Sequence, residues 1–182
     1  MMISVRSRLT TALAVLCILL GLPAAHAAEA AMIEAGQPFP AWTLTDHMGR
    51  TVKSSDLAGK AYLMWYYPAA MTSGCTAEGR ALRDENEAYH AAGIEILGVS
   101  FDKPEDNRRF VETESFPFRL LSDTDRKLAY AVGAASVMRM GYPRRISYLV
   151  GADGKVVKAY DEVNPTEHAA EVLADYAAAR RR

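Results

Sequence analysis

The sequence predicts an α/β fold, a mixed central β-sheet flanked by helices, and three observations carry that reading. Tyr62-Leu63-Met64-Trp65-Tyr66 and Ile94-Glu95-Ile96-Leu97-Gly98-Val99-Ser100 are short, nearly continuous apolar runs, as expected of strands buried on both faces. The stretch between them, Thr76 to Ala92, has no proline and closes on Gly93, so a helix supplies the crossover that parallel pairing requires. Arg145 to Val150 and Lys155 to Tyr160 flank Gly151-Ala152-Asp153-Gly154, which predicts an antiparallel hairpin.

Taken in order, residues 1–27 read as a secretory signal. Arg6 and Arg8 precede an apolar core from Ala12 to Leu22, and Ala25-His26-Ala27 is an A-x-A cleavage site. That core falls well short of the roughly 20 residues of a spanning helix, so no stable membrane anchor is expected. Leu16 stands before Cys17, where a lipid-attachment signal calls for Gly, Ala or Ser. Cleavage leaves residues 28–182 as a single domain, exported to the bacterial periplasm. Ala28 to Ala35 is a short flexible lead. Trp42-Thr43-Leu44-Thr45 alternates before the turn Asp46-His47-Met48-Gly49 and Thr51-Val52, predicting a small hairpin. Glu105 to Glu114 and Asp125 to Val132 are further helices, separated by Phe116-Pro117-Phe118 and Leu120-Leu121-Ser122-Asp123. A last helix starts near Pro165, with Asn164 as N-cap, Pro165 at N1 and Glu167 three residues after the cap.

A chain of this length buries on the order of 70% of its unfolded surface without a staple. Removing Arg6 and Arg8 takes the formal charge from −1 to −3. With neither a basic patch nor a block of like charge, nucleic acid and anionic membrane are poor candidate partners. Of the two cysteines, Cys17 lies in the signal and Cys75 remains alone. A lone thiol in an oxidising compartment needs an explanation.

Cys75 follows Pro68-Ala69-Ala70-Met71-Thr72-Ser73-Gly74, where the first core strand ends and the crossover helix begins. A thiolate is the nucleophile, and a free cysteine ionises only near pH 8.5. Thr72 or Ser73 can cap the helix, placing Cys75 in its first turn beside unpaired N–H groups. The helix end favours an anion there by about 0.3 to 2 kcal/mol, so a nearby cation must supply the rest. Arg144 and Arg145 open the later core strand, and alternation sends them to opposite faces. Arg145 shares the more polar face, with Ser147 and Leu149, which favours it over Arg144.

Pro68-x-x-x-Thr72-x-x-Cys75 resembles the active-site signature of peroxiredoxins, and Gly74-Cys75-Thr76-Ala77-Glu78 is similar to their bacterioferritin-comigratory, or Q-type, subfamily. The likeness extends through Gly36-Gln37-Pro38-Phe39-Pro40, Leu57-Ala58-Gly59-Lys60, Leu97 to Asp102, Leu120 to Asp123, Tyr130-Ala131-Val132-Gly133 and Arg145-Ile146-Ser147-Tyr148. This resemblance implies a thioredoxin-like fold and a thiol peroxidase acting on hydrogen peroxide and small organic hydroperoxides without cofactor or metal. By that analogy Cys75 becomes a sulfenic acid. Thr72 bonds substrate and thiolate, Pro68 shields the site from water, and Arg145 holds the thiolate and the leaving oxygen. Gly74 and Cys75 add backbone donors, and Glu78 orients Arg145 or a neighbour. Many Q-type members carry a resolving cysteine five positions after the peroxidatic one, where this chain has Arg80. Met71 is a second departure, since polar residues are commoner there. A one-cysteine enzyme of this kind needs an external thiol: glutathione, a glutaredoxin-like protein or another exported thiol protein.

Each reading has a plainer competitor. Cys75 could be a buried structural thiol, Thr72 and Ser73 mere caps, Pro68 a strand end, and Arg145 a structural partner of Glu78. His47, His90 and His168 have no ligand-like spacing and are expected at exposed or supporting positions. Trp42, Trp65 and the neighbouring tyrosines read as core, with Trp65 and Tyr67 also able to wall the pocket. Met138 and Met140 read as loop packing, and Arg180-Arg181-Arg182 complements the negative end of the last helix. A disulfide oxidoreductase would need Cys-x-x-Cys, which is absent from the sequence. A thiol sensor or binding scaffold without turnover stays open as the alternative, and the protein is expected as a monomer or homodimer.

Overall fold

The computed structural model describes residues 31–136 and 141–181. The signal segment with Cys17, the methionines Met138 and Met140, and Arg182 lie outside the described residues. In chain order the elements are β1 (Thr43–Asp46), β2 (Thr51–Lys53), β3 (Ala61–Tyr66), α1 (Ser73–Asp84), α2 (Asn86–Ala92), β4 (Ile94–Ser100), α3 (Pro104–Glu114), β5 (Arg119–Ser122), α4 (Lys127–Ala131), β6 (Ile146–Val150), β7 (Val156–Tyr160) and α5 (His168–Ala179). Among the described residues the strands form one sheet in the order β2-β1-β5-β4-β3-β6-β7. The β3–β4 and β4–β5 pairs are parallel and the other pairs antiparallel. The sheet is mixed, as the sequence predicts.

Period-two alternation divides the core. Tyr62, Met64 and Tyr66 of β3 join Ile146, Tyr148 and Val150 of β6 on one face, covered by Leu57 and by Leu128 and Ala129 of α4. Leu63, Trp65 and Tyr67 join Leu149 on the other, beneath Leu82 of α1, Tyr89 of α2, Phe110 of α3 and Val172 of α5. Cys75 belongs to this second core. Each large side chain buried here contributes about 1.5–3 kcal/mol, and Trp65, Tyr66 and Tyr67 are fully buried.

Several boundaries differ from the sequence reading. The crossover helix starts earlier, at Ser73, and breaks at Glu85 into α1 and α2; Gly93 caps it in the left-handed region at φ 77°. The fourth helix is shorter than Asp125 to Val132, spanning Lys127–Ala131. The last helix begins at His168, after a turn in which Asn164 Oδ1 accepts from the Thr166 N–H at 3.2 Å. Leu120-Leu121-Ser122, read only as a separator, lies in β5 and pairs with β4.

Candidate active site

Topology gathers the site. In the parallel β3–β4 pair the carboxyl ends of both strands open on the same side, where open α/β sheets place their ligands. Strand β6 runs against β3 with Ile146 opposite Tyr66, so the residue before Ile146 lies beside the chain leaving β3. That residue is Arg145. Alternation puts it with Leu149 on the Cys75 face, while Arg144 turns away, donating to the Gly133 carbonyl at 3.0 Å and pairing with Asp161.

The chain then runs through the half-buried Pro68 and a turn at Met71, whose φ of 64° is rare for a side chain without a local hydrogen bond. Asp102, just after β4, secures this turn by accepting the Ala70 N–H on Oδ2 at 2.8 Å. Thr72 takes the N-cap position of α1 but makes no side-chain cap. Its hydroxyl donates to the Ala69 carbonyl at 3.0 Å, an acceptor within the turn itself. The capping expected of Thr72 or Ser73 is corrected accordingly. In the first turn of α1 the N–H groups of Gly74 and Cys75 have no intrahelical acceptor.

Cys75 is free and fully buried. Arg145 donates from Nη2 to Cys75 Sγ at 3.4 Å and from Nη1 to Glu78 Oε2, so one guanidinium joins the thiol to the carboxylate one turn along α1. Gly74 leaves room for it: a Cβ there would lie 3.1 Å from Arg145 Nη2. Burial pushes the Glu78 carboxyl up to about 7, against the opposing pull of Arg145 and the Trp65 indole N–H. Burial also opposes the charge on Arg145, yet Glu78 and the cysteine sulfur hold that guanidinium above its ordinary range.

Trp65 and Tyr67 floor the site, with ring centroids 4.6 Å apart. Tyr67 donates its hydroxyl to Asn107 Oδ1 at 2.5 Å, and Asn107 donates in turn to Ser122 Oγ at 3.1 Å. Asn107 and Ser122 escaped the sequence reading as supports, as did Asp102. The signal available for Asp102 was its place at the carboxyl end of a predicted parallel strand. His168 is fully buried against the Tyr160 ring, and burial pushes it down to about 4; His90 is exposed. Among the described residues, no group of three or more His, Cys, Asp or Glu side chains is placed to hold a metal ion, and no helix is long and apolar enough to cross a membrane.

A single thiol in the first turn of a helix, gripped by an arginine at the carboxyl ends of a thioredoxin-like sheet, defines a thiol peroxidase of the peroxiredoxin class. The chain belongs to the AhpC/TSA family, whose profile matches residues 35–159. It is 38% identical over 146 residues to peroxiredoxin Bcp of Escherichia coli, covering 78% of this chain and 94% of that protein. Identity to peroxiredoxin Bcp of Bacillus subtilis is 36% over 147 residues, covering 78% and 93%. Among solved structures, peroxidoxin BcpB of Mycobacterium tuberculosis superposes with a TM-score of 0.75 at 27% identity, covering 80% of this chain and 97% of the other. The bacterioferritin comigratory protein of Xanthomonas campestris, described for alkyl peroxide reduction, gives 0.74 at 28%, covering 80% and 98%.

Proposed function

We propose that the protein reduces hydrogen peroxide and small organic hydroperoxides through a Cys75 sulfenic acid that an external thiol reduces. The observation that carries this reading is the Arg145 guanidinium shared between Cys75 Sγ and Glu78. The thiolate sulfur attacks the terminal oxygen of the hydroperoxide, the S–O bond forms as the O–O bond breaks, and the alkoxide or hydroxide leaves as ROH after taking a proton. Arg145 and the first-turn N–H groups of Gly74 and Cys75 supply positive potential where charge develops. Thr72, its own proton committed to Ala69, offers oxygen lone pairs to the hydroperoxide O–H. Pro68 covers the sulfur, and Glu78 fixes the direction of Arg145.

Peroxide consumption by the purified protein with dithiothreitol, compared with Cys75→Ser, tests the reading. Loss of turnover in the variant is expected; equal rates overturn it.

Residues 1–27 act in this reading as a signal that delivers the enzyme to the periplasm. Its support is the Arg6/Arg8, Ala12–Leu22 and Ala25-His26-Ala27 pattern, together with a family match that begins only at residue 35. Amino-terminal sequencing of periplasmic protein should read Ala28-Glu29-Ala30. A chain that keeps Met1 and stays in the cytoplasm would refute it.

A further inference from the structure

A group of buried polar atoms surrounds the Arg145–Glu78 pair. Among the described residues, Trp65 Nε1, Glu78 Oε1, Ser147 Oγ and both ring nitrogens of His168 have no hydrogen-bond partner, and all four residues are fully buried. Native proteins pair nearly all such groups, so a concentration of them in one region calls for a reason. Topology brings them together. Ser147 of β6 stands opposite Trp65 of β3 on one side and opposite Tyr160 of β7 on the other. The His168 ring meets Tyr160 edge to face, with centroids 4.9 Å apart, and the Tyr89 hydroxyl donates to the carbonyl of the next residue, Ala169, at 2.9 Å. Glu78 enters from α1 with Oε2 taken by Arg145 and Oε1 open to the Trp65 indole N–H, which draws on it from outside hydrogen-bond geometry.

A ring that only filled this space would be apolar, because an imidazole buried with bare nitrogens carries a desolvation cost that phenylalanine avoids. Glu171 does not account for it, since Oε2 stands 4.0 Å from Nδ1, beyond hydrogen-bond reach. The charges acting on the ring are Glu171 and Asp175 of α5, Lys158 of β7 and Arg145 ahead of β6, and burial outweighs them to keep it neutral near pH 7. Tyr160 of β7 and Tyr89 of α2 border it, and Glu78 of α1 acts on Tyr89 in turn.

We propose that His168 is a positioning residue of the peroxide reaction: with Ser147 it supplies hydrogen bonding to the Oε1 side of Glu78, which keeps Oε2 on Arg145 and Arg145 on the Cys75 sulfur. The inference rests on the peroxidase reading above. Either tautomer serves, because a neutral imidazole carries one donor and one acceptor and the Ser147 hydroxyl can pass the bond on. His168 acts through Arg145 and not on the peroxide. Its removal lets Glu78 swing, and the guanidinium that Glu78 aims then grips the thiolate less firmly.

His168→Phe keeps a ring against Tyr160 and removes both nitrogens, whereas His168→Asn and His168→Gln return a polar amide near the place of Nδ1 or Nε2. The rate of reaction with hydrogen peroxide and the pH dependence of the thiolate's ultraviolet absorbance are measured for native protein and each variant, with Cys75→Ser as the blank. A native thiol that does not react with peroxide would defeat the peroxidase reading itself. His168→Phe should react about tenfold more slowly, the scale of a small misplacement near a reacting centre, and its Cys75 thiolate should form about one pH unit higher. Asn or Gln should recover most of both. In an Arg145→Ala background the Phe substitution should change neither, because the group it steers is gone. If His168→Phe does not fold, Ser147→Ala carries the same two expectations, and a native rate and thiolate titration in that variant would then overturn the inference. So would a native rate and titration in His168→Phe, equal slowing in the Phe, Asn and Gln variants, or full additivity with Arg145→Ala.

Discussion

Arg145 works because a planar guanidinium reaches two acceptors at once, Cys75 Sγ and Glu78. A lysine keeps the charge but presents a single ammonium point and cannot span them in that geometry. Arg145→Lys should therefore slow the reaction of Cys75 with peroxide by about 10²-fold, the usual scale for losing one well-placed donor, measured by stopped-flow tryptophan fluorescence. Gly74→Ala tests the same contact from the other side. Its Cβ, 3.1 Å from Nη2, displaces the mobile end of Arg145 rather than any backbone, so the rate should fall about tenfold while the melting temperature changes little. Alternation made the choice of Arg145 over Arg144 readable from sequence, because only side-chain periodicity was involved. The Thr72 hydroxyl was not readable: its bond to Ala69 depends on the turn at Met71.

At the scale of elements, β3, β4 and the β6–β7 hairpin were legible as apolar runs with turn punctuation between them. Strand β5 was not, since Arg119-Leu120-Leu121-Ser122 neither alternates nor forms a long apolar run. Its identity comes from pairing with β4 across two intervening turns of chain and a helix. The break between α1 and α2 also lacks a local signal, having neither Pro nor Gly near Glu85. Helix packing explains which substitutions α1 tolerates. Gly79→Ala places a methyl against the Phe116 ring, and overpacking of this kind costs about 1–3 kcal/mol. Urea unfolding should show that loss with an unchanged m-value, and no loss would mean the packing of α1 on Phe116, just after α3, is looser than described.

For the whole molecule, two buried titratable groups oppose one another. His168 titrates at about 4 when folded against an ordinary value of 6.5, so the unfolded chain binds its proton first and stability falls as pH drops from 6.5 through 4. Glu78 titrates at about 7 against 4.5, so the folded state holds its proton longer and stability falls as pH rises from 4.5 through 7. Between pH 4.5 and 6.5 the two slopes have opposite sign, and the native protein should show a flat stability profile. His168→Gln should expose a profile that declines toward neutral pH, whereas Glu78→Gln should expose one that declines toward acid, each by about 3 kcal/mol or less. Chemical denaturation in steps from pH 4 to 8 would reveal either slope. The sequence showed both side chains but not their burial, which three-dimensional packing alone decides.

The adjacent arginines at the mouth of β6 also set what a single-residue deletion does to the site. They occupy opposite faces of the sheet, and only the one that directly precedes Ile146 meets the thiol. If Arg145 is deleted outright, Arg144 inherits that position while β6 keeps its pairing from Ile146 onward. The deletion should thus react with peroxide faster than Arg145→Ala, the gentler change on paper. The expected outcome is that a deletion keeps a cation on the sulfur where a replaced side chain does not.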